Sequence, residues 1–157
     1  MEKRKMIIAQ NLDSVLSEKV KAVIPNWEIV IGHNEADWKA HIQDAEVIVG
    51  WQRKMAEHCL NGKANLRWVQ SWSAGVDSFP LDKMAEHNIQ LTSANGVHAY
   101  PISETIFALM LALTRKIDTY VKNQLERKWD DAGLHLELHE KTIGIIGVGA
   151  IGKETAK

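Results

Sequence analysis

A single cysteine, Cys59, in 157 residues leaves nothing for an internal disulfide, which excludes the disulfide-stapled secreted scaffolds and fits a reducing, cytoplasmic compartment. Charge of either sign is also missing in excess. Nineteen Lys and Arg against 20 Asp and Glu give a formal net charge of −1, so there is no electrostatic footprint for nucleic acid or an anionic membrane. Long apolar runs are absent: the longest, Ile106 to Leu113, is far short of the ~20 residues of a membrane span. After the charged Met-Glu-Lys-Arg-Lys start, Met6-Ile7-Ile8-Ala9 is too short for a signal-peptide core. No internal repeat or low-complexity segment occurs. An apolar fraction of 45% and a charged fraction of 25% are those of a soluble globular chain, with room for one domain, or for one domain and part of a second.

The first 93 residues alternate short β-rich runs with amphipathic stretches. Met6–Gln10, Trp27–Ile31, Ala45–Gly50, Leu66–Ser71 and Gln90–Thr92 read as strands; Ser14–Val23, Glu35–Gln43, Met55–Leu60 and Leu81–His87 read as helices. Asp13 before Ser14 is a helix cap by composition, and Pro80 suits a first helical turn. Regular strand–helix–strand alternation implies a parallel sheet with helices on both faces, here of five strands and flavodoxin-like, over residues 4–93. In such a sheet the small-residue loop Ser73–Asp77 falls at the carboxyl edge, where α/β folds bind ligands.

Beyond Thr92 the pattern changes. Ser93 to Pro101 has turn chemistry without periodicity and reads as a hinge. Pro101 then opens a long helix in which Ile102, Ile106, Leu109, Met110, Leu113, Ile117 and Val121 recur at helical spacing. Phe107, Ala108, Leu111 and Ala112 fill its other faces, so its first half is expected to be buried almost all round. The elements after Tyr100 are too few to supply that second core. Thr142–Ile146 reads as a strand, with exposed edges if it stands alone.

Three stretches carry chemistry. Thr142–Ile146 leads into Gly147-Val148-Gly149-Ala150-Ile151-Gly152, and Lys153-Glu154-Thr155-Ala156 then suits a helix. This is the glycine spacing that opens a dinucleotide-binding βαβ unit: Gly147 for the tight turn, Gly149 for close approach of a pyrophosphate, Gly152 for packing of helix on strand. Trp68-Val69-Gln70-Ser71-Trp72-Ser73-Ala74-Gly75-Val76-Asp77 is a strand ending in a small-residue loop whose amides could cradle an anion, although a plain tight turn accounts for it as well. The third stretch is Asn95-Gly96-Val97-His98-Ala99-Tyr100-Pro101-Ile102-Ser103-Glu104.

In this order, Ser-Ala-Gly-Val-Asp, Asn-Gly-Val-His with Ser-Glu, Leu-Ala-Leu-Thr-Arg and Gly-x-Gly-x-x-Gly resemble the D-isomer-specific 2-hydroxyacid dehydrogenases, over essentially the whole chain. The resemblance implies a flavodoxin-like substrate domain at residues 1–97 and the beginning of a Rossmann NAD(P)-binding domain at 98–157, with the active site between the two. It implies that Ser73, Ala74 and Gly75 bind the substrate carboxylate. Ser103, in the interdomain crossing, and Gly147, Gly149, Ala150, Ile151 and Gly152 would bind the cofactor, NAD or NADP. The substrate would be a small 2-hydroxy or 2-oxo acid, the full-length enzyme a homodimer, and the long helix and the stretch toward Trp129 part of its contacts.

The departures from the pattern matter equally. The family's catalytic Arg, Glu and His lie beyond its glycine fingerprint, so the resemblance assigns no catalytic residue here. His98 is more simply a backbone-bonding loop residue. His135 and His139 alternate with Leu136 and Leu138 and lack a third ligand, so no metal site is expected. Arg53 is a candidate for tuning side-chain preference, with a solvated surface arginine the plainer reading. Cys59 beside Leu60 reads as packing, not as a catalytic thiol. Six tryptophans are many for this length, and core packing accounts for most. The end of the chain, inside a helix without a cap, reads as an N-terminal fragment of an enzyme; a non-catalytic binding module or a decayed enzyme is the alternative.

Overall fold

The computed structural model describes residues 3–157, and the chain divides into two compact units between Asn95 and Gly96. The first unit runs β1 (Lys5–Ile8), α1 (Ser14–Val23), β2 (Glu28–Ile31), α2 (Glu35–Trp38), β3 (Val47–Val49), α3 (Met55–Cys59), β4 (Trp68–Gln70), α4 (Leu81–Glu86) and β5 (Gln90–Thr92). All four strand pairings are parallel, in the order β2-β1-β3-β4-β5. That is the flavodoxin-like order, with a topological switch point between β1 and β3.

Register aligns one apolar row straight across the sheet: Val30, Ile7, Ile48, Val69 and Leu91 are lateral neighbours. Ile7, Ile48 and Val69 are wholly buried, as expected for central strands covered by crossover helices. Trp38, Ile42, Met55, Cys59, Leu60 and Met84 close the same core from the connecting segments. Helix α1 behaves differently. Asp13 caps it, its carboxylate accepting from Leu16 N–H at 2.8 Å, yet it buries no side chain, and Val15, Leu16 and Val23 remain exposed. Helix α2 is shorter than its apolar spacing implies. After Trp38 the chain tightens into turns, with bonds from His41 N–H to Trp38 O and from Asp44 N–H to His41 O, which still deliver Ile42 to the core.

The second unit contains α5 (Ala99–Thr114), α6 (Ile117–Leu125) and α7 (Ala150–Thr155), and α7 packs against α5. Four expectations are corrected here. The long helix is two helices, because Lys116 takes a left-handed conformation at φ 52° and redirects the chain between them. It also begins at Ala99, so Pro101 sits in the first turn, where its missing N–H has no intrahelical partner to lose. The first half of this helix is not buried all round: α5 buries only Ala99 and Ser103, and Leu109 and Leu113 are 66% and 78% exposed. Finally, Thr142–Ile146 forms no strand; this unit holds no other strand with which it could pair. Among the described residues, no helix is long and apolar enough to cross a membrane.

Candidate functional site

At the carboxyl edge of the first unit, β4 hands the chain to the loop that begins at Ser71. Ser71 is 2% exposed, and its backbone continues the β4–β5 ladder through a bond from its N–H to Thr92 O at 2.8 Å. Its hydroxyl accepts from the Ser73 N–H at 3.0 Å and lies 3.4 Å from the Ser73 hydroxyl. On the other side, Ala94 N–H donates to Ser73 O at 3.1 Å. Ser73, Ala74 and Gly75 themselves are exposed, and among the described residues the Ala74 and Gly75 amides meet no protein acceptor. Two adjacent unpaired N–H groups beyond a parallel strand are what an anion cradle requires.

The flank of this loop is stiffened by a run of side-chain bonds. Trp68 Nε1 donates to Thr92 Oγ1 at 2.8 Å, Thr92 Oγ1 donates to Gln70 Oε1 at 2.6 Å, and Gln70 Nε2 donates to Ser71 O at 2.9 Å. Beside it, β3 exits through Gly50 at φ 84°, whose N–H donates to Gln70 O at 2.8 Å. Trp51 stacks on Phe79 at 6.0 Å between ring centroids, tying the β3 exit to the far end of the same loop. Arg53 is exposed in the turn before α3 and forms no ion pair among the described residues. Cys59 is 2% exposed, its thiol donates to Met55 O at 3.0 Å, and burial pushes its pKa up to about 12. It is a packing residue.

In the second unit the glycine fingerprint forms a sharp turn into α7. Gly147 has φ 96°, a region that glycine enters without strain. Gly149 is the N-cap of α7, and a Cβ there would meet nothing within 4 Å. Gly152 has no such room: its Cβ would fall 2.0 Å from Gly147 O and 3.3 Å from Ile145 Cγ2. The three glycines therefore hold three distinct constraints: a left-handed turn, open space over a helix start, and close packing of helix on incoming chain. Ala150 and Ile151 supply amides of the first helical turn, which point at whatever occupies that space. Ser103 is buried in α5, its hydroxyl donating to Tyr100 O at 2.9 Å.

The histidines take structural places. His98 is the N-cap of α5 through its carbonyl, which accepts from Ile102 N–H at 3.1 Å. His135 stacks on Tyr120 at 5.6 Å with its Nε2 2.8 Å from the phenol oxygen, whereas His139 Nε2 lies 3.6 Å from the exposed Glu140 carboxylate. Among the described residues, no three His, Cys, Asp or Glu side chains gather as a metal site. One feature had no signal in the sequence: a groove of about 480 Å³ lined by Tyr120, Asn123, Gln124, Lys128, Trp129 and Asp130, where the buried Asn123 amide nitrogen has no hydrogen-bond partner.

Known proteins share this arrangement. Residues 107–157 match the family model described as D-isomer specific 2-hydroxyacid dehydrogenase, NAD binding domain. The chain is 26% identical over 161 residues to glyoxylate/hydroxypyruvate reductase B of Serratia proteamaculans, an alignment covering 99% of this chain and 50% of that protein. It is 29% identical over 128 residues to the protein of the same name from Yersinia pestis, covering 79% of this chain and 39% of that one. Among solved structures, a D-isomer specific 2-hydroxyacid dehydrogenase family protein from Aeromonas salmonicida superposes with a TM-score of 0.82 at 28% identity, over 99% of this chain and 49% of the other. The chain thus spans about half the length of the relatives it matches.

Proposed function

We propose that the chain belongs to the D-isomer-specific 2-hydroxyacid dehydrogenase family, and that it provides the 2-oxo-acid cradle and the first turn of the nucleotide site of an NAD- or NADP-dependent oxidoreductase interconverting D-2-hydroxy and 2-oxo acids. The observation that carries the reading is the pair of unpaired amides at Ala74 and Gly75, held at the carboxyl edge of a parallel sheet whose order is flavodoxin-like. These amides hold the substrate carboxylate. Residues 1–97 act as the substrate domain, and 98–157 begin the cofactor domain.

In that second unit the fingerprint fits a dinucleotide. Gly149 leaves open space where a pyrophosphate must approach backbone, and Ala150 and Ile151 present helix-start amides to it. Ser103 completes the cofactor contacts in the proposal. The bound cofactor supplies or accepts hydride at its nicotinamide ring. The chain's own part is to bind and orient the acid and to hold the phosphates.

None of the 157 residues takes the role of the family's catalytic Arg, Glu or His, so the chain by itself turns over no 2-hydroxy acid. Losing a general acid/base alone costs roughly 10²–10⁴-fold in rate. Homodimerisation of the longer enzyme, in the cytoplasm, belongs to the same proposal.

The test combines binding and turnover. Nuclear magnetic resonance of the ¹⁵N-labelled chain is expected to show the Ala74 and Gly75 amides shifting with glyoxylate, and those of Gly147 to Gly152 shifting with NADH or NADPH. Absorbance assays with glyoxylate, pyruvate and hydroxypyruvate should show no turnover. Unmoved resonances at both sites would overturn the assignment, and turnover that survives further purification would overturn the inactivity.

A further inference from the structure

Ser71 sits where the last β4 bond gives way to the open loop, and no catalytic or binding role attaches to it so far. It is a buried hydroxyl in a strand exit, a place where a small apolar side chain would fill space equally well. Every polar atom of Ser71 is nevertheless engaged. Its N–H donates to Thr92 O, its carbonyl accepts from Gln70 Nε2, and its hydroxyl accepts from Ser73 N–H and pairs with Ser73 Oγ. Ser73 is therefore gripped at both of its backbone groups, at the N–H by Ser71 Oγ at 3.0 Å and at the carbonyl by Ala94 N–H at 3.1 Å.

The consequence follows from peptide geometry. Among the described residues every peptide bond is trans, so Ser73 C=O and Ala74 N–H belong to one plane and point in opposite directions. With Ser73 O drawn toward Ala94, the Ala74 N–H is turned away from the β5 exit and left for an outside acceptor. The hydroxyl of Ser71 fixes the preceding peptide plane, and without it the Ser73 unit could swing about the Ala94 bond. An anion cradle gains from amides that need no reorganisation on binding.

We propose that Ser71 is a positioning residue: its buried hydroxyl clamps Ser73 so that the Ala74 and Gly75 amides are pre-aimed at the carboxylate of a 2-oxo acid. This rests on the carboxylate cradle proposed above. The hydroxyl touches no substrate and acts only through Ser73. Thr92 and Gln70 lock the carbonyl side of Ser71, which keeps the hydroxyl in place.

The experiment follows the ¹⁵N-labelled full chain titrated with glyoxylate, reading the Ala74 and Gly75 amide shifts for affinity and the hydrogen exchange of the Ser73 amide for the clamp. Ser71→Ala is expected to weaken glyoxylate binding by roughly threefold to tenfold, the worth of one hydrogen bond, and to speed Ser73 exchange. Ser71→Cys nearly preserves volume but is a poor acceptor, so it behaves as Ser71→Ala even if the smaller side chain disturbs folding. Ser71→Thr retains the hydroxyl and restores both readouts. Wild-type affinity and Ser73 protection in both Ser71→Ala and Ser71→Cys would overturn the clamp while leaving the cradle standing. Ala74 and Gly75 resonances that ignore glyoxylate in the wild-type chain would remove the cradle, and the role of Ser71 with it.

Discussion

Gly50 and Trp72 occupy the same space. A Cβ on Gly50 would fall 2.7 Å from Trp72 Nε1 and 2.8 Å from its Cδ1, and Gly50 also has φ 84°. The exit of β3 and the loop after β4 therefore fit only because Gly50 has no side chain. Gly50→Ala is expected to cost about 1–3 kcal/mol through left-handed strain alone, with the indole clash in addition. Trp72→Ala in the same chain should recover the clash and leave the strain. Urea denaturation of both single variants and the double variant gives the coupling. Strictly additive losses would mean that the indole does not press on Gly50.

Gly149 and Gly152 lie three residues apart and should respond oppositely. Gly152→Ala drives a Cβ to 2.0 Å from Gly147 O, so α7 must shift or unravel. The loss is expected to be about 1–3 kcal/mol or more, read by denaturation and by lost amide protection in α7. Gly149→Ala meets nothing within 4 Å and should leave that protection intact while weakening NADH binding. Equal stability losses in the two variants would contradict the division of roles in the turn.

Much of this was legible in sequence for one reason: parallel-sheet strands are short apolar runs separated by helices, and such alternation permits few topologies. The row through Ile7, Ile48 and Val69 lies in three of those runs. The glycine turn was legible because its constraints are local. The break at Lys116 was not, since apolar spacing continues through Ile117 and Val121 while one lysine turns left-handed without a glycine to mark it. Thr142–Ile146 has strand composition, but a strand exists only with a partner. Ser71 carried no signal either; its burial and its bond to Ser73 are properties of the folded loop.

Cys59 should be chemically silent. Burial raises its pKa to about 12, so the thiolate fraction at neutral pH is negligible, and the sulfur is also sterically covered. A thiol reagent such as dithionitrobenzoate is expected to react only as fast as the first unit opens, and rapidly in urea. Prompt reaction in buffer would place Cys59 outside the core. Cys59→Ser should destabilise by about 1–3 kcal/mol, because a hydroxyl there must be desolvated.

Acid should weaken the α2 region early. Glu35 Oε1 lies 2.7 Å from Lys39 Nζ and Oε2 lies 3.1 Å from Lys54 Nζ, and these bonds lower its pKa from 4.5 to about 2. A depressed carboxyl pKa stabilises the fold above the unfolded value, and that contribution disappears as pH falls through the folded one. The relevant window therefore runs from about 4.5 down to about 2. Glu35 is only partly covered and both lysines are exposed, so the effect is small and salt-sensitive. The stability difference between wild type and Glu35→Gln should close across this window; a difference independent of pH would show that the ion pairs contribute nothing.

The second unit should self-associate through apolar contact. Leu109 and Leu113 on α5, Leu125 at the end of α6, and Trp129, Leu134 and Ile146 in the following segments are all exposed, Leu125 at 80%. Leaving such side chains in water forgoes about 1.5–3 kcal/mol each relative to burial, a strong drive toward any apolar surface, including a second copy. Charge does not oppose contact, since the net charge is only −1. An apolar origin has a salt signature: sulfate should strengthen the association, whereas association through ion pairs would weaken with ionic strength. Analytical ultracentrifugation across concentration, with and without sulfate, is expected to show heavier species favoured by both, together with binding of a hydrophobic dye. Leu109→Lys with Leu113→Lys should shift the distribution toward monomer without loss of helix, because both side chains already stand in solvent. A clean monomer at every concentration with no dye binding would mean that these faces are covered within the chain in solution.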